Sequence, residues 1–382
     1  APLSRARRAY AARPAMHAAW PIAAAGALVP RPVAVAPRVA PRAMKAADLL
    51  SFERQGYWLD RGLLDKAQVQ ALAPALDRVY EEQAHAVLRQ KVRVVLGDDA
   101  LSQAEATSGS LRAQIKEFRR LLESAPDGAI PFLQLFNAWR HAPDVLQLLR
   151  SPRIASTAAQ LLGLEPGAAR RVRLLQDSLF VKRVGDGETH WHADLAMAPL
   201  DTNAMVTCWL PLQPVPSEAS GGSGLVFAGN SHRDVALPFW HGDPREVADV
   251  SQRGYVESSC GAMRVGDASW HHGWTLHCAP PNGLPTPRRA LAASFFLDGA
   301  TTLGRASRTP DDEDLESHAE WMRAIGTGKP ARHPLLPVVW PPQAQGKPPS
   351  QGTRSGAGRA KRGGAARKPH GPAGAPARSQ RA

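Results

Sequence analysis

The sequence predicts a mainly β domain, a sandwich or jelly roll, that follows a helical segment. Residues 48–163 keep apolar side chains at helical spacing, whereas from Val172 onward the chain changes to short apolar runs separated by Gly and Pro turns. The strand-like runs are 172–183, 205–213, 224–228, 263–265, 274–278 and 289–298. A functional site would then lie between the two sheets, with the helices supporting one of them.

Three apolar stripes define the helical segment. Asp65 can cap the first helix, and Pro74 must kink it or restart it. The third stripe runs from Leu133 to Leu149, and Gly163 is typical of a helix end. The first two stripes consist of Val69, Leu72, Leu76 and Val79, then Leu111, Ile115, Phe118 and Leu122.

Two histidines, a carboxylate and a distant arginine indicate a non-haem Fe(II) site that uses a 2-oxo acid. His192 and Asp194 lie two residues apart, His277 follows Asp194 by 83 residues, and Arg288 follows His277 by 11. Side chains at i and i+2 of an extended segment point the same way, so His192 and Asp194 can reach one ion. His277 would reach it from a separate strand. A 2-His-1-carboxylate set leaves positions open for an α-keto acid and dioxygen.

Other histidines compete for the metal. His190 shares a face with His192 in an extended segment, and His271 and His272 precede His277. Three histidines near a carboxylate also fit a zinc site. A zinc hydrolase would not explain the arginine downstream, and His190 and His271 are better interpreted as neighbours of the site.

Arg288 is the candidate anchor for the far carboxylate of the keto acid, because a guanidinium pairs bidentately with a carboxylate. Arg289 is its rival. Adjacent residues of a strand face opposite ways, so one of the pair points inward and the other does not.

Longer motifs surround these residues. Gly266-Asp267 precedes His277, and Asn282 and Arg288-Arg289-Ala290 follow it. Three other segments belong to the same set of motifs: Phe52-Glu-Arg-Gln-Gly56-Tyr-Trp-Leu, Cys208-Trp209-Leu-Pro-Leu and Gly221-Gly-Ser-Gly224-Leu-Val-Phe-Ala-Gly229-Asn-Ser-His232. In these motifs the chain resembles the phytanoyl-CoA dioxygenase family of Fe(II)/2-oxoglutarate-dependent oxygenases, over roughly residues 46 to 300.

The resemblance implies a double-stranded β-helix core (jelly roll, cupin-like) buttressed by N-terminal helices. It implies His192, Asp194 and His277 as iron ligands and Arg288 as the 2-oxoglutarate anchor. The implied cofactors are Fe(II), 2-oxoglutarate and dioxygen, with ascorbate as an optional addition. The implied reaction hydroxylates an unactivated C–H and releases succinate and carbon dioxide.

Two positions leave alternatives open within this resemblance. Trp209 flanks the keto-acid pocket by resemblance, or is a core aromatic on a strand. Ala279 stands where many relatives carry a small hydroxyl-bearing residue, which removes one hydrogen bond to the co-substrate. Asp194 itself favours hydroxylation, because a small residue there would suggest a halogenase.

The substrate remains open, because a fold does not select among small molecules. The loop 230–260 and the segment 92–130 are expected to shape its pocket, and the sequence does not indicate an oligomeric state. Two other classes of function stay as alternatives. One is a non-catalytic binding protein of the same fold, and the other is an RNA- or membrane-associated protein that works through basic tails.

The formal net charge of +13 belongs to the two ends of the chain. Residues 1–47 hold eight Lys and Arg without an acid, and residues 343–382 hold nine without an acid. The residues between them carry 30 basic and 34 acidic side chains. A mildly acidic central part argues against a nucleic-acid substrate held there.

The predicted organisation is a leader at 1–45, an oxygenase domain at 46–342 and a disordered basic tail at 343–382. The leader is acid-poor and carries Arg, as transit peptides do, so a chloroplast or mitochondrion is one expectation and the cytoplasm the other. Three cysteines give no even disulfide framework and suit a reducing compartment. No window approaches 18 consecutive apolar residues, so no transmembrane helix is expected.

Overall fold

The computed structural model describes residues 41–107, 109–124, 132–165, 167–184, 186–234, 254–304 and 313–341. The predicted tail and nearly all of the predicted leader lie outside these residues, as does most of the 230–260 loop. No helix among the described residues has an apolar stretch long enough to cross a bilayer.

Helices occupy most of the first third of the described chain, as the stripes predicted. Asp65 begins a capping box in which its backbone N–H donates to the side chain of Gln68 at 3.0 Å. Pro74 stands in the first turn of a new helix and therefore restarts the helical run rather than kinking it. The helices are α1 (Ala46–Gln55), α2 (Lys66–Gln70), α3 (Ala73–Leu96), α4 (Asp98–Thr107), α5 (Leu111–Glu123), α6 (Pro143–Leu149), α7 (Pro152–Leu161), α8 (Asp194–Met197) and α9 (Glu313–Ile325).

Short antiparallel strands form the rest. They are β1 (Tyr57–Asp60), β2 (Leu133–Phe136), β3 (Val172–Lys182), β4 (Thr189–His192), β5 (Leu200–Asp201), β6 (Met205–Pro211), β7 (Val226–Gly229), β8 (Val256–Ser259), β9 (Ala268–His272), β10 (His277–Ala279), β11 (Arg288–Leu297), β12 (Thr301–Thr302) and β13 (Val338–Trp340). The major sheet has the order β1-β9-β6-β11-β3-β13, with β2 also paired to β3, and the minor sheet has the order β4-β10-β7-β8. These two sheets confirm the predicted jelly roll buttressed by helices.

The two faces of the major sheet have different partners. On β6, Val206, Cys208 and Leu210 belong to a cluster shared with the helices, whereas Trp209 belongs to a cluster between the two sheets. This alternation follows from the two-residue period of a strand. Cys208, Cys260 and Cys278 are free thiols, and Cys208 is buried on the helix side.

Three expectations about secondary structure were wrong. The stripe from Leu133 to Leu149 is not one helix: Leu133–Phe136 is the strand β2, because its alternating leucines bury against the helices while it pairs with β3. The expected strand at 263–265 forms isolated bridges, and the strand of this region is β9. The expected strand at 274–278 begins at His277, because the residues before it form a turn in which the Thr275 N–H donates to the His272 carbonyl at 2.8 Å.

Candidate active site

His192, Asp194 and His277 lie together, on two paired strands of the minor sheet and at the start of α8. His192 ends β4 and His277 begins β10, and these two residues are direct cross-strand partners with ring centroids 4.1 Å apart. Asp194 is the first residue of α8, so the extended backbone that we predicted for this segment continues only to Ala193. One ligand atom from each of the three residues lies within 4.8 Å of the other two.

Backbone carbonyls orient both imidazoles. Nδ1 of His192 lies 2.8 Å from the carbonyl oxygen of His190, and Nδ1 of His277 lies 3.0 Å from that of Thr275. A carbonyl accepts, so each Nδ1 carries the proton and each Nε2 presents a lone pair. The two Nε2 atoms lie 3.7 and 3.6 Å from the same oxygen, Oδ1 of Asp194.

The other oxygen of Asp194 is occupied by protein donors. Oδ2 accepts a hydrogen bond from Thr207 Oγ1 at 2.6 Å and one from His271 Nε2 at 3.0 Å. Thr207 also lies 2.9 Å from the hydroxyl of Ser294 on β11. This arrangement turns Oδ1 toward the two imidazoles and fixes the carboxylate as a single-oxygen donor.

The protonation states of this cluster suit a metal. Burial, together with the nearby imidazoles of His192 and His271, lowers the pKa of His277 well below its usual range. Burial alone would raise the pKa of the Asp194 carboxyl, but the hydrogen bond from His271 favours the carboxylate, and this pKa lies below its usual range. A carboxylate and a deprotonated His277 Nε2 are therefore present at neutral pH.

The competing histidines take other places. His190 is largely exposed and lies 3.2 Å from Glu188. The His272 ring lies tilted against that of His232, with ring centroids 5.4 Å apart, and burial lowers the pKa of His272 to about 4. His271 is buried and directs its Nε2 at Oδ2 of Asp194, so it orients that carboxylate and is not among the three residues whose possible ligand atoms converge.

Arg288 and Arg289 point in opposite directions. Arg288 is buried, and its guanidinium carbon lies 5.5 Å from the centre of the Trp209 ring. Burial lowers the pKa of Arg288 to about 10, which leaves it charged at neutral pH. Arg289 instead forms a 2.7 Å ion pair with Asp77 on the helix side. Trp209 is itself buried between the sheets beside Arg288.

Sequence reasoning missed Lys182 and Ser223. Lys182 is the direct cross-strand partner of Arg288 and is almost fully buried, and burial, with the Arg288 charge, lowers its pKa to about 7. Ser223 is fully buried and its hydroxyl accepts from Arg288 Nη2 at 3.3 Å. β3 carries several other polar residues, so Lys182 did not stand out, and Ser223 lies inside the Gly221-Gly-Ser-Gly224 segment without a feature that marks it.

The geometry agrees with a comparison to known families. The family model described as phytanoyl-CoA dioxygenase matches residues 52–290. The chain belongs to the phytanoyl-CoA dioxygenase family. Membership makes this protein an Fe(II)/2-oxoglutarate-dependent oxygenase, and the matched span contains His192, Asp194, His277 and Arg288.

Solved structures show the same fold. The non-heme alpha ketoglutarate dependent carbocyclase SnoK from nogalamycin biosynthesis is 20% identical, with a TM-score of 0.55, and the match covers 79% of this chain and 100% of that one. The corresponding epimerase SnoN is 19% identical with a TM-score of 0.52, covering 77% and 97%. At these identities the likeness shows the fold alone. No curated protein sequence is significantly similar to this chain.

Proposed function

We propose that this phytanoyl-CoA dioxygenase family member hydroxylates an unactivated C–H of a small organic molecule, with release of succinate and carbon dioxide. The observation that carries the proposal is the convergence of His192 Nε2 and His277 Nε2 on Oδ1 of Asp194, together with a buried Arg288 that has no described carboxylate partner. Two nitrogens and one carboxylate oxygen are the donor set that non-haem iron uses.

The residues present fit iron and a dicarboxylic keto acid. His192, Asp194 and His277 would hold Fe(II), with Oδ2 of Asp194 kept away from the metal by its two hydrogen-bond donors. When bound, Fe(II) with 2-oxoglutarate and dioxygen supplies the oxidising chemistry that no side chain can supply. Ascorbate would serve, if needed, to keep the metal reduced.

Arg288 would bind the far carboxylate of 2-oxoglutarate. Its Nε has no hydrogen-bond partner among the described residues, and no described carboxylate pairs with it. A buried guanidinium without an acid is an incomplete ion pair, and an anionic co-substrate completes it. Trp209 would form one wall of this pocket, since its ring faces the guanidinium.

The carboxylate at position 194 favours hydroxylation, because it fills the position that a halide would otherwise take. The two solved neighbours are described as a carbocyclase and an epimerase. Product analysis therefore decides the reaction: hydroxylation adds one oxygen atom to the substrate, whereas ring closure or epimerisation does not.

The test is anaerobic titration of the purified protein with Fe(II) and 2-oxoglutarate, followed through the visible metal-to-keto-acid charge-transfer band. We expect the band in the wild type and its loss in Asp194→Ala, because loss of a ligand should lower metal affinity by at least about a hundredfold. Arg288→Ala should need more 2-oxoglutarate to reach the same band. Arg289→Ala is the matched control and should behave as wild type, since its side chain faces Asp77.

A folded wild-type protein that shows no band, and no succinate on exposure to air, would contradict the proposal. Once the band is established, succinate release identifies substrates from a panel of small acids, amino acid derivatives and natural products. Mass analysis of the product then tests hydroxylation itself.

A further inference from the structure

The surroundings of Arg288 contain a second group that can bind an anion. Ser223 precedes β7 and is fully buried, and its hydroxyl lies 3.3 Å from Arg288 Nη2. In the structure the hydroxyl proton is donated to the carbonyl oxygen of Pro280 at 2.5 Å. A guanidinium and a hydroxyl thus meet at one buried point beside the Trp209 ring.

The Pro280 carbonyl does not depend on Ser223. Lys182 Nζ also donates to it at 3.0 Å, and donates to the carbonyl of Ala279 at 3.2 Å. If the Ser223 hydroxyl turned toward another acceptor, the Pro280 carbonyl would keep the Lys182 Nζ donor and would not be left without a partner. Rotation about the Cβ–Oγ bond is all that this change requires.

We infer that Ser223 is a co-substrate-binding residue that donates its hydroxyl to the distal carboxylate held by Arg288. The inference rests on the proposed function and adds a residue to it. Ala279, on the strand that carries His277, offers no hydroxyl to this pocket, and Ser223 brings one from a different segment of the chain. Lys182, the cross-strand partner of Arg288, supports the subsite by keeping the Pro280 carbonyl hydrogen-bonded.

The inference is tested by the same anaerobic titration with two keto acids. 2-Oxoglutarate carries a distal carboxylate, and 2-oxobutyrate lacks it. Ser223→Ala should raise the Kd for 2-oxoglutarate about tenfold, the usual effect of one hydrogen bond to a charged group. Its Kd for 2-oxobutyrate should equal that of the wild type, which separates a contact with the distal carboxylate from a general loss of structure.

Two further variants sharpen the result. Ser156→Ala removes another buried serine hydroxyl, on α7, and should leave both Kd values unchanged. Adding Ala279→Ser to Ser223→Ala restores a hydroxyl between the sheets and should recover part of the affinity for 2-oxoglutarate.

The inference fails if Ser223→Ala binds 2-oxoglutarate as tightly as Ser156→Ala does. It also fails if Ser223→Ala weakens both keto acids by the same factor, because the effect would then not concern the distal carboxylate. A wild-type protein that binds neither keto acid would instead overturn the proposed function, so the two failures are distinct.

Discussion

The two faces of the major sheet differ in almost every physical property although their residues alternate along the same strands. On β9, Trp270 is fully buried among the helices, and the next residue, His271, donates to Asp194. On β11, Arg288 faces the site and Arg289 pairs with a helix. One step along a strand thus separates a residue on the helix side from a residue that lies in or beside the candidate site.

This difference shows how the domain combines a stable scaffold with a polar site. The helix-side face is filled by large apolar groups whose burial stabilises the fold. The inner face carries Thr207, Ser294 and His271, which are buried but hydrogen-bonded to each other or to Asp194. Substitutions on the helix side should therefore mainly lower the free energy of unfolding, whereas substitutions on the inner face should mainly lower the affinity for Fe(II).

The largest expected effect is on the helix side. Trp270→Ala should lower the free energy of unfolding by about 3–5 kcal/mol, because it leaves a cavity where the indole packs 6.1 Å from the Phe295 ring. Denaturant unfolding measures the loss. At a temperature where the variant is folded, its Fe(II) affinity should match that of the wild type, and a large drop in affinity would break the distinction between the faces.

A buried acid on β3 gives the next effect, and it depends on pH. Burial raises the pKa of Asp177 from 3.8 to about 7, so the folded protein binds this proton more tightly than the unfolded chain. The stability contributed by this group is complete below about pH 4 and is lost as the pH rises to about 7. The free energy of unfolding of Asp177→Asn should equal that of the wild type at low pH. At about pH 8 it should exceed the wild-type value by up to about 4 kcal/mol.

The measurement for Asp177 is the difference in unfolding free energy between wild type and variant across that range of pH, which cancels the titration of other groups. Asp177 Oδ2 accepts from the Trp139 N–H at 3.2 Å, and an asparagine oxygen can keep this bond. A difference that does not change with pH would show that Asp177 is not the group responsible.

The smallest expected effect lies on the inner face. His271→Phe should lower Fe(II) affinity by about 10–100-fold, because a partner that orients a ligand typically contributes that much. Thr207→Val removes the other donor to Oδ2 and should act in the same direction. His271→Gln retains an N–H donor and serves as the control, because its Fe(II) affinity should lie between those of His271→Phe and the wild type. Unfolding free energy should change less than in Trp270→Ala, and the opposite order would contradict the comparison.

The sequence was a good guide where one local rule decided the outcome. Asp65 and Gly163 predicted helix boundaries correctly, because a capping residue and a glycine with positive φ act within one turn. Pro74 restarts the helix, which is one of the two outcomes that the sequence left open. It was a poor guide at Leu133–Phe136, where apolar residues fit either a helix or a strand. Pairing with β3, far away in sequence, decided that they form a strand.

The sequence by itself determined the set of chemical groups and their order along the chain. These groups are two histidines, a carboxylate and two adjacent arginines, and they lie within motifs that indicated the family. Alternation along a strand also implied that Arg288 and Arg289 would separate, but it did not say which would be buried. That choice, like the role of His271 and the presence of Ser223 and Lys182 beside Arg288, was decided by tertiary structure. These contacts join residues between 65 and 106 positions apart, and their distances depend on how two sheets close on each other rather than on any local pattern.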